Sequence, residues 1–207
     1  VNEPAKTTPQ DFVLWFKTLG RYAHHIMRWP SPWGEGFPGW HIECSAMSKK
    51  YLGPTFDIHA AGIDLKFPHN TNEVAQSESA NGVPFANYWI HGEHLLVNEG
   101  KMAKSDGTFI TLKDVVDKGF NPLAFRMLTL TAHYRSKMNF TWESLKAAQN
   151  GLNNIYEEIS SYEAPSGGVE KYEEEFLNIV NNDLDIPQAL ALAHQLMWSE
   201  NPTSAKL

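Results

Sequence analysis

The chain has 207 residues, a net charge of −7 and a single cysteine, Cys44. This length allows one sizeable core and a small second unit. Its apolar runs are far shorter than the ~20 residues of a membrane span, and the first residues lack the apolar stretch of a signal peptide. One cysteine cannot form an internal disulfide. We therefore expect a cytoplasmic protein that does not contact a membrane.

Negative charge is concentrated in the last third of the chain. Residues 142–207 contain eleven acidic residues and three lysines, which leaves the preceding part close to neutral. An acidic segment argues against a broad phosphate-binding surface there. Any contact with nucleic acid must therefore come from local patches or from residues outside this sequence.

The first half alternates between predicted helices and strands. Thr8-Pro9 is typical of a helix cap followed by proline, which predicts a short helix through residues 11–16. A helix over residues 40–51, closed by Gly53, is followed by a buried strand over residues 56–62. A second helix is expected from about His69 to the glycine at position 82, and another strand at residues 88–91.

Helices dominate the second half. Residues 95–97 lead into a hairpin-like turn, Asn98-Glu99-Gly100. Asn121-Pro122 predicts the start of a helix that runs to about residue 134, and apolar residues then recur every three or four positions over residues 142–162. A linker at 164–168 precedes two further helices. The order predicts half of an α/β domain joined to the beginning of a helical bundle.

Three potential metal ligands stand in the first half. His69 and Glu73 are four residues apart on a predicted helix, so their side chains share one face. Cys44 lies on the helix before them. Cysteine, histidine and glutamate all bind zinc, and a thiolate with an imidazole selects zinc over magnesium or calcium. Taken alone, however, a histidine and a glutamate at this spacing are more often a solvated surface pair.

Residues 101–105 read Lys-Met-Ala-Lys-Ser and follow a predicted strand and a tight turn. A lysine-rich pentamer in isolation is most often a solvated loop. Here it also precedes a predicted helix.

Together these segments resemble cysteinyl-tRNA synthetases. Residues 40–47, 67–69 and 72–78 are similar to the zinc-bearing segments of that family, with Gly62-Ile63-Asp64-Leu65 between them. Residues 101–105 resemble the class I loop Lys-Met-Ser-Lys-Ser, with Ala103 replacing the first serine. Two other departures are Ala60-Ala61-Gly62, where three glycines are usual, and Asn70, where a second histidine is usual.

The resemblance implies an α/β fold followed by α: the second half of a Rossmann-like class I synthetase catalytic domain, then a helical bundle segment. It places a partial catalytic domain at residues 1–115, a helical stem at 116–162 and the start of a helical tRNA-binding domain at 163–207. The amino-side half of the active site, with its His-Ile-Gly-His motif, is not within these residues. We therefore expect this segment alone to be inactive.

The resemblance also implies roles for individual residues. One zinc ion would be held by three side chains of this chain, with the family's remaining cysteine ligand lying upstream. ATP would bind with magnesium. The residues concerned are Cys44, His69 and Glu73 for the metal, Lys101 and Lys104 for catalysis, Lys104, Gly62 and Asp64 for ATP, and Trp40 and His59 for the amino acid.

The implied activity is that of an aminoacyl-tRNA synthetase, a ligase of protein biosynthesis. It would activate L-cysteine with ATP and attach it to tRNA(Cys), and we expect it to act as a monomer. Two alternatives remain. A cysteine:amino-sugar ligase built on the same adenylating fold would share every motif, and a non-catalytic truncated paralogue could bind a partner instead.

Overall fold

The computed structural model describes residues 6–102 and 109–206. The chain forms two compact units, Val1–His91 and Gly92–Leu207, and each is described by itself. Among the described residues, no helix has the length and apolar character needed to cross a bilayer.

The first unit opens with paired strands. Strand β1 (Trp15–Lys17) pairs antiparallel with β2 (Gly36–Pro38), which places Phe16 opposite Phe37. Their rings stack with centroids 5.3 Å apart. The helix predicted through residues 11–16 is therefore wrong. The cap signal at Thr8 produces only a local turn, in which the Thr8 hydroxyl donates to Asp11 over 2.6 Å, while the pairing of distant residues determines the strand.

Two helices of the first unit confirm their predictions. Helix α1 (Trp40–Leu52) ends at Gly53, whose φ of 94° suits glycine. An irregular turn, Lys66–Asn70, leads into helix α2 (Thr71–Asn81), which ends at the left-handed Gly82.

Two strands lie beside each other in this unit. Strand β3 (Phe56–Gly62) neighbours β4 (Ala86–Gly92), which continues to the unit boundary. Both strands were predicted. The predicted burial of β3 is wrong in the described chain, since Ile58 is 57% exposed. A two-stranded sheet leaves such side chains uncovered.

The second unit contains a three-stranded sheet. Strand β5 (Leu95–Val97) pairs antiparallel with β6 (Gly100–Lys101) and parallel with β7 (Met138–Phe140). The predicted hairpin turn is confirmed, with positive φ at Asn98 and Glu99. Strand β7 was not predicted, because its partner lies about forty residues earlier and leaves no local signal.

The described part of this unit contains five α-helices. They are α3 (Leu112–Asp117), α4 (Pro122–Leu130), α5 (Trp142–Ser160), α6 (Glu170–Asn181) and α7 (Ile186–Met197). Helix α4 ends four residues before its predicted end, and the others match the predicted order. Their apolar faces bury the larger core cluster: Val97, Val115, Ala124, Leu128, Phe140, Leu145, Ala148 and Leu152.

A charged contact holds the turn between α6 and α7. Asp183, at a φ of 58°, accepts hydrogen bonds from Arg135 Nε over 2.7 Å and from the Tyr134 hydroxyl over 2.6 Å. These donors lower the pKa of Asp183 from 3.8 to about 2, the Arg135 hydrogen bond being the largest cause. The helical end of the unit is thereby tied to the segment that follows α4.

Candidate metal centre

Helices α1 and α2 pack side by side and present the predicted ligands to one another. Cys44 projects from α1, His69 from the turn before α2, and Glu73 from the first turn of α2. The Ser45 hydroxyl donates to Gln76 Oε1 over 2.8 Å and so joins the two helices beside the cluster.

The ligand atoms of Cys44, His69 and Glu73 lie within 4.8 Å of one another. His69 Nε2 and Glu73 Oε1 are 3.8 Å apart. Two ligands of one tetrahedral zinc ion lie about 3.4 Å apart, given metal–ligand bonds near 2.1 Å. The three side chains therefore need only a small contraction to share one ion.

The two oxygens of the Glu73 carboxylate have different surroundings. The side chain is 1% exposed. Its Oε2 accepts a hydrogen bond from Asn70 Nδ2 over 2.7 Å and lies 3.1 Å from His59 Nε2. Its Oε1 has no hydrogen-bond partner among the described residues. A buried carboxylate oxygen without a donor is costly, and a cation would compensate it.

His69 is held through its other ring nitrogen. Its Nδ1 lies 2.9 Å from Nδ1 of His41, so one ring donates and the other accepts. Burial lowers the pKa of His41 most, and the neighbouring His69 lowers it further, which favours the neutral ring. If His69 donates through Nδ1, its Nε2 lone pair faces Glu73, as a metal-binding histidine requires.

Cys44 is half-buried beside these groups. Burial raises the pKa of its thiol, and the negative charges of Glu73 and Glu43 raise it further. Without a cation the thiol is therefore protonated. A metal ion would reverse this by stabilising the thiolate.

The donor set fits zinc. It combines one sulfur, one imidazole nitrogen and one carboxylate oxygen, and the orphaned Oε1 points to a missing positive charge.

The other predicted site residues of the first unit are placed as follows. Trp40 is exposed, and its ring centroid lies 4.5 Å from that of His69. His59 contacts Glu73, and its ring stacks on that of Trp89 with centroids 4.4 Å apart. Gly62 ends β3, and a Cβ there would lie 2.5 Å from the carboxylate of Asp64. The structure thus brings Trp40 and His59 to the metal cluster. Their roles remain predictions.

The predicted nucleotide loop lies in the second unit. Lys101 ends strand β6, and its side chain lies outside the described residues. Lys104 falls within residues 103–108, which are also outside the described part of the chain. The catalytic and ATP-binding roles of these lysines stay predictions.

Sequence reasoning assigned no role to three residues that surround the cluster: His41, Asn70 and His91. Asn70 is 4% exposed, and besides contacting Glu73 its Oδ1 lies 3.0 Å from His91 Nε2. His91 lies on β4, far along the chain. The only available signal was the concentration of histidines and polar residues around the metal motif.

Comparison with known proteins identifies the family. Residues 1–150 match the family described as tRNA synthetases class I (C) catalytic domain. The chain belongs to this family. The predicted membership is thereby confirmed, and the predicted α/β fold followed by helices agrees with it.

Curated relatives of this synthetase family carry the name cysteine–tRNA ligase. The Treponema denticola protein is 52% identical over 76% of this chain and 32% of its own length. The Burkholderia lata protein is 48% identical over 95% of this chain and 42% of its own length. The Thermus thermophilus protein is 46% identical over 90% of this chain and 40% of its own length. The chain therefore spans less than half of each of these relatives.

A solved structure supports the fold. The LeuRS of Agrobacterium radiobacter, crystallised in a ternary complex with tRNA and LeuAMS, superposes with a TM-score of 0.57. The match covers 83% of this chain and 29% of that one at 14% identity. At this identity the likeness concerns the class I synthetase fold alone.

Proposed function

We propose that the chain is part of a cysteine–tRNA ligase that activates L-cysteine with ATP and attaches it to tRNA(Cys). The observation that carries this proposal is the cluster of Cys44, His69 and the partnerless Oε1 of Glu73 in the described chain, which belongs to this synthetase family. The names of the curated relatives favour tRNA over an amino sugar as the acceptor.

Zinc would be held by Cys44, His69 and Glu73, and when bound it supplies a position that a substrate thiol can occupy as thiolate. Serine offers no comparable ligand. A bond present with one substrate and absent with its isostere gives large discrimination.

The surrounding side chains would position the amino acid. Trp40 offers an exposed indole next to His69, and His59 lies on the other side of Glu73. An aromatic face and a half-buried imidazole suit the amino group and carbon skeleton of a small zwitterion. We assign both to the amino-acid pocket.

Gly62 and Asp64, at the carboxyl end of β3, would contact the nucleotide, because open α/β sheets bind nucleotides at the carboxyl ends of their strands. Lys101 and Lys104 would neutralise the phosphates of magnesium-bound ATP and the charge on departing pyrophosphate. The reaction belongs in the cytoplasm, where a lone thiol such as Cys44 stays reduced.

A titration with Co²⁺ as a spectroscopic substitute for zinc tests the metal site in the 207-residue chain. The wild type should give intense tetrahedral absorption with a sulfur-to-cobalt charge-transfer band. Cys44→Ser should lose that band, and the isosteric Glu73→Gln should bind more weakly. Added L-cysteine should strengthen the charge-transfer band of the wild-type complex, whereas L-serine should not.

Equal metal binding by the wild type, Cys44→Ser and Glu73→Gln would refute the metal site. An equal spectral response to cysteine and serine would refute thiol selection while leaving the metal site intact. Circular dichroism of each variant reports whether the fold is retained, so a loss of binding can be separated from a loss of structure.

A further inference from the structure

The hydrogen bonds around Glu73 assign a task to the neighbouring asparagine. Asn70 is 4% exposed, and both ends of its amide have partners. A carboxylate can only accept hydrogen bonds, so the amide nitrogen must face Glu73. The amide oxygen then faces His91, which donates through Nε2. The two contacts therefore fix the orientation of the amide.

This arrangement makes the two oxygens of Glu73 inequivalent. Oε2 accepts a hydrogen bond from Asn70 Nδ2 over 2.7 Å and lies 3.1 Å from His59 Nε2. Oε1 has no donor among the described residues and faces His69 Nε2 at 3.8 Å. A carboxylate whose Oε2 is engaged in this way cannot rotate freely to present both oxygens to one ion.

We propose that Asn70 is a positioning residue: it holds Oε2 of Glu73 so that Oε1 alone is presented to a metal ion shared with Cys44 and His69. Asn70 is the residue immediately before α2, with helical backbone angles, and it precedes Glu73 by three positions, so the two side chains share one face. Its bond to His91 on β4 connects that face to the sheet. The helix and the strand thus set the direction of the ligand oxygen together.

The inference rests on the proposed metal site, and one experiment separates the two. Zinc affinity is measured for the 207-residue chain by competition with a chromophoric chelator, alongside the Co²⁺ spectrum. Asn70→Leu removes both hydrogen bonds while keeping the number and branching of the side-chain heavy atoms. Loss of such an outer partner commonly costs about 10–100-fold in metal affinity, and we expect a loss of that size with a changed Co²⁺ spectrum.

The matched control is Asn72→Ala on the same helix, whose side chain makes no hydrogen bond to Glu73 among the described residues. It should bind zinc as the wild type does. Asn70→His returns an N–H donor and should recover part of the lost affinity. If Asn70→Leu does not fold by circular dichroism, Asn70→Ala is measured in its place, with the same loss expected.

The outcomes differ clearly. Cys44-dependent zinc binding with unchanged affinity and spectrum in the folded position-70 variant would overturn the positioning role and leave the metal site standing. Zinc binding that does not depend on Cys44 would refute the metal site itself. Loss of affinity in the position-70 variant, with Asn72→Ala unaffected, would support the proposal.

Discussion

The side chain of Glu73 combines near-complete burial with an oxygen that has no partner among the described residues. Burying a charge without compensation costs several kcal/mol, on the order of the whole effect of a severe mutation. Asn70 and His59 compensate one oxygen only. The remaining cost is what a cation would remove, and it makes this carboxylate the most informative single group in the first unit.

Asp183 provides a pH-dependent test in the second unit. Hydrogen bonds from Arg135 and Tyr134 lower its pKa from 3.8 to about 2. A carboxyl group whose pKa is lowered in the folded state stabilises the fold when the pH lies above its unfolded-state pKa of 3.8. This contribution is lost as the pH falls from 3.8 towards 2. Asp183→Asn should therefore lower the urea midpoint at neutral pH, and the difference from wild type should shrink below about pH 4. Urea denaturation across this range measures it.

Asparagine is the suitable replacement because it tolerates the positive φ at this position and keeps an acceptor for Tyr134. Repeating the comparison in an Arg135→Leu background is the control. The effect of Asp183→Asn should become smaller there, since the main donor is gone. A difference that is independent of pH would show that the Asp183 charge contributes nothing to stability.

At the level of single residues, spacing and resemblance predicted the cluster but not its surroundings. His69 and Glu73 are four residues apart, so a helix alone brings them together. The contact of Asn70 with His91 depends on how β4 lies beside that helix, and sequence spacing carries no such information. For the same reason, the contact between His59 and Glu73 could not be predicted, although His59 was predicted to lie in the amino-acid pocket.

At the level of elements, helices with local signals were predicted better than strands. The three-to-four-residue periodicity of α5 and the Asp185 cap of α7 are encoded within each helix. Strands β1 and β7 instead depend on partners far along the chain, Phe37 for one and Leu96 for the other. Their short segments were therefore assigned wrongly or missed.

The turn between β5 and β6 offers a prediction at this scale. Glu99 adopts a φ of 66°, a left-handed conformation that costs a non-glycine residue about 1 kcal/mol or more. Glu99→Gly gives the Asn-Gly pair that this hairpin turn favours. It keeps the backbone N–H that donates to Asn139 Oδ1 over 2.7 Å. We expect the free energy of unfolding to rise by up to about 1 kcal/mol, measured by urea denaturation.

Asn98→Gly is the matched control in the same turn. Asn98 also has a positive φ, of 48°, but asparagine tolerates this region, so the change should stay within about 0.5 kcal/mol. Equal effects of the two substitutions, or a loss of stability in Glu99→Gly, would contradict the argument from backbone strain.

At the level of the whole molecule, the chain covers less than half the length of its relatives. The sequence spans 42% of the length of the Burkholderia lata relative and contains no His-Ile-Gly-His motif. Adenylate formation depends on charges placed on both sides of the reacting phosphate. The lysines of residues 101–104 supply only one part of that arrangement in the proposed enzyme.

A polypeptide of these 207 residues should therefore bind metal yet catalyse no cysteine-dependent exchange of pyrophosphate into ATP. Within the full length of a cysteine–tRNA ligase relative, the same residues should take part in that exchange activity. In that full-length protein, Lys104→Ala should reduce the exchange rate by about 10²–10³-fold, because one preorganised charge is removed from the transition state. Cysteine binding, measured through the Co²⁺ spectrum, should remain unchanged. Exchange above background by the 207-residue chain would show that its own residues complete the site, and an unaffected rate in Lys104→Ala would remove this loop from the chemistry.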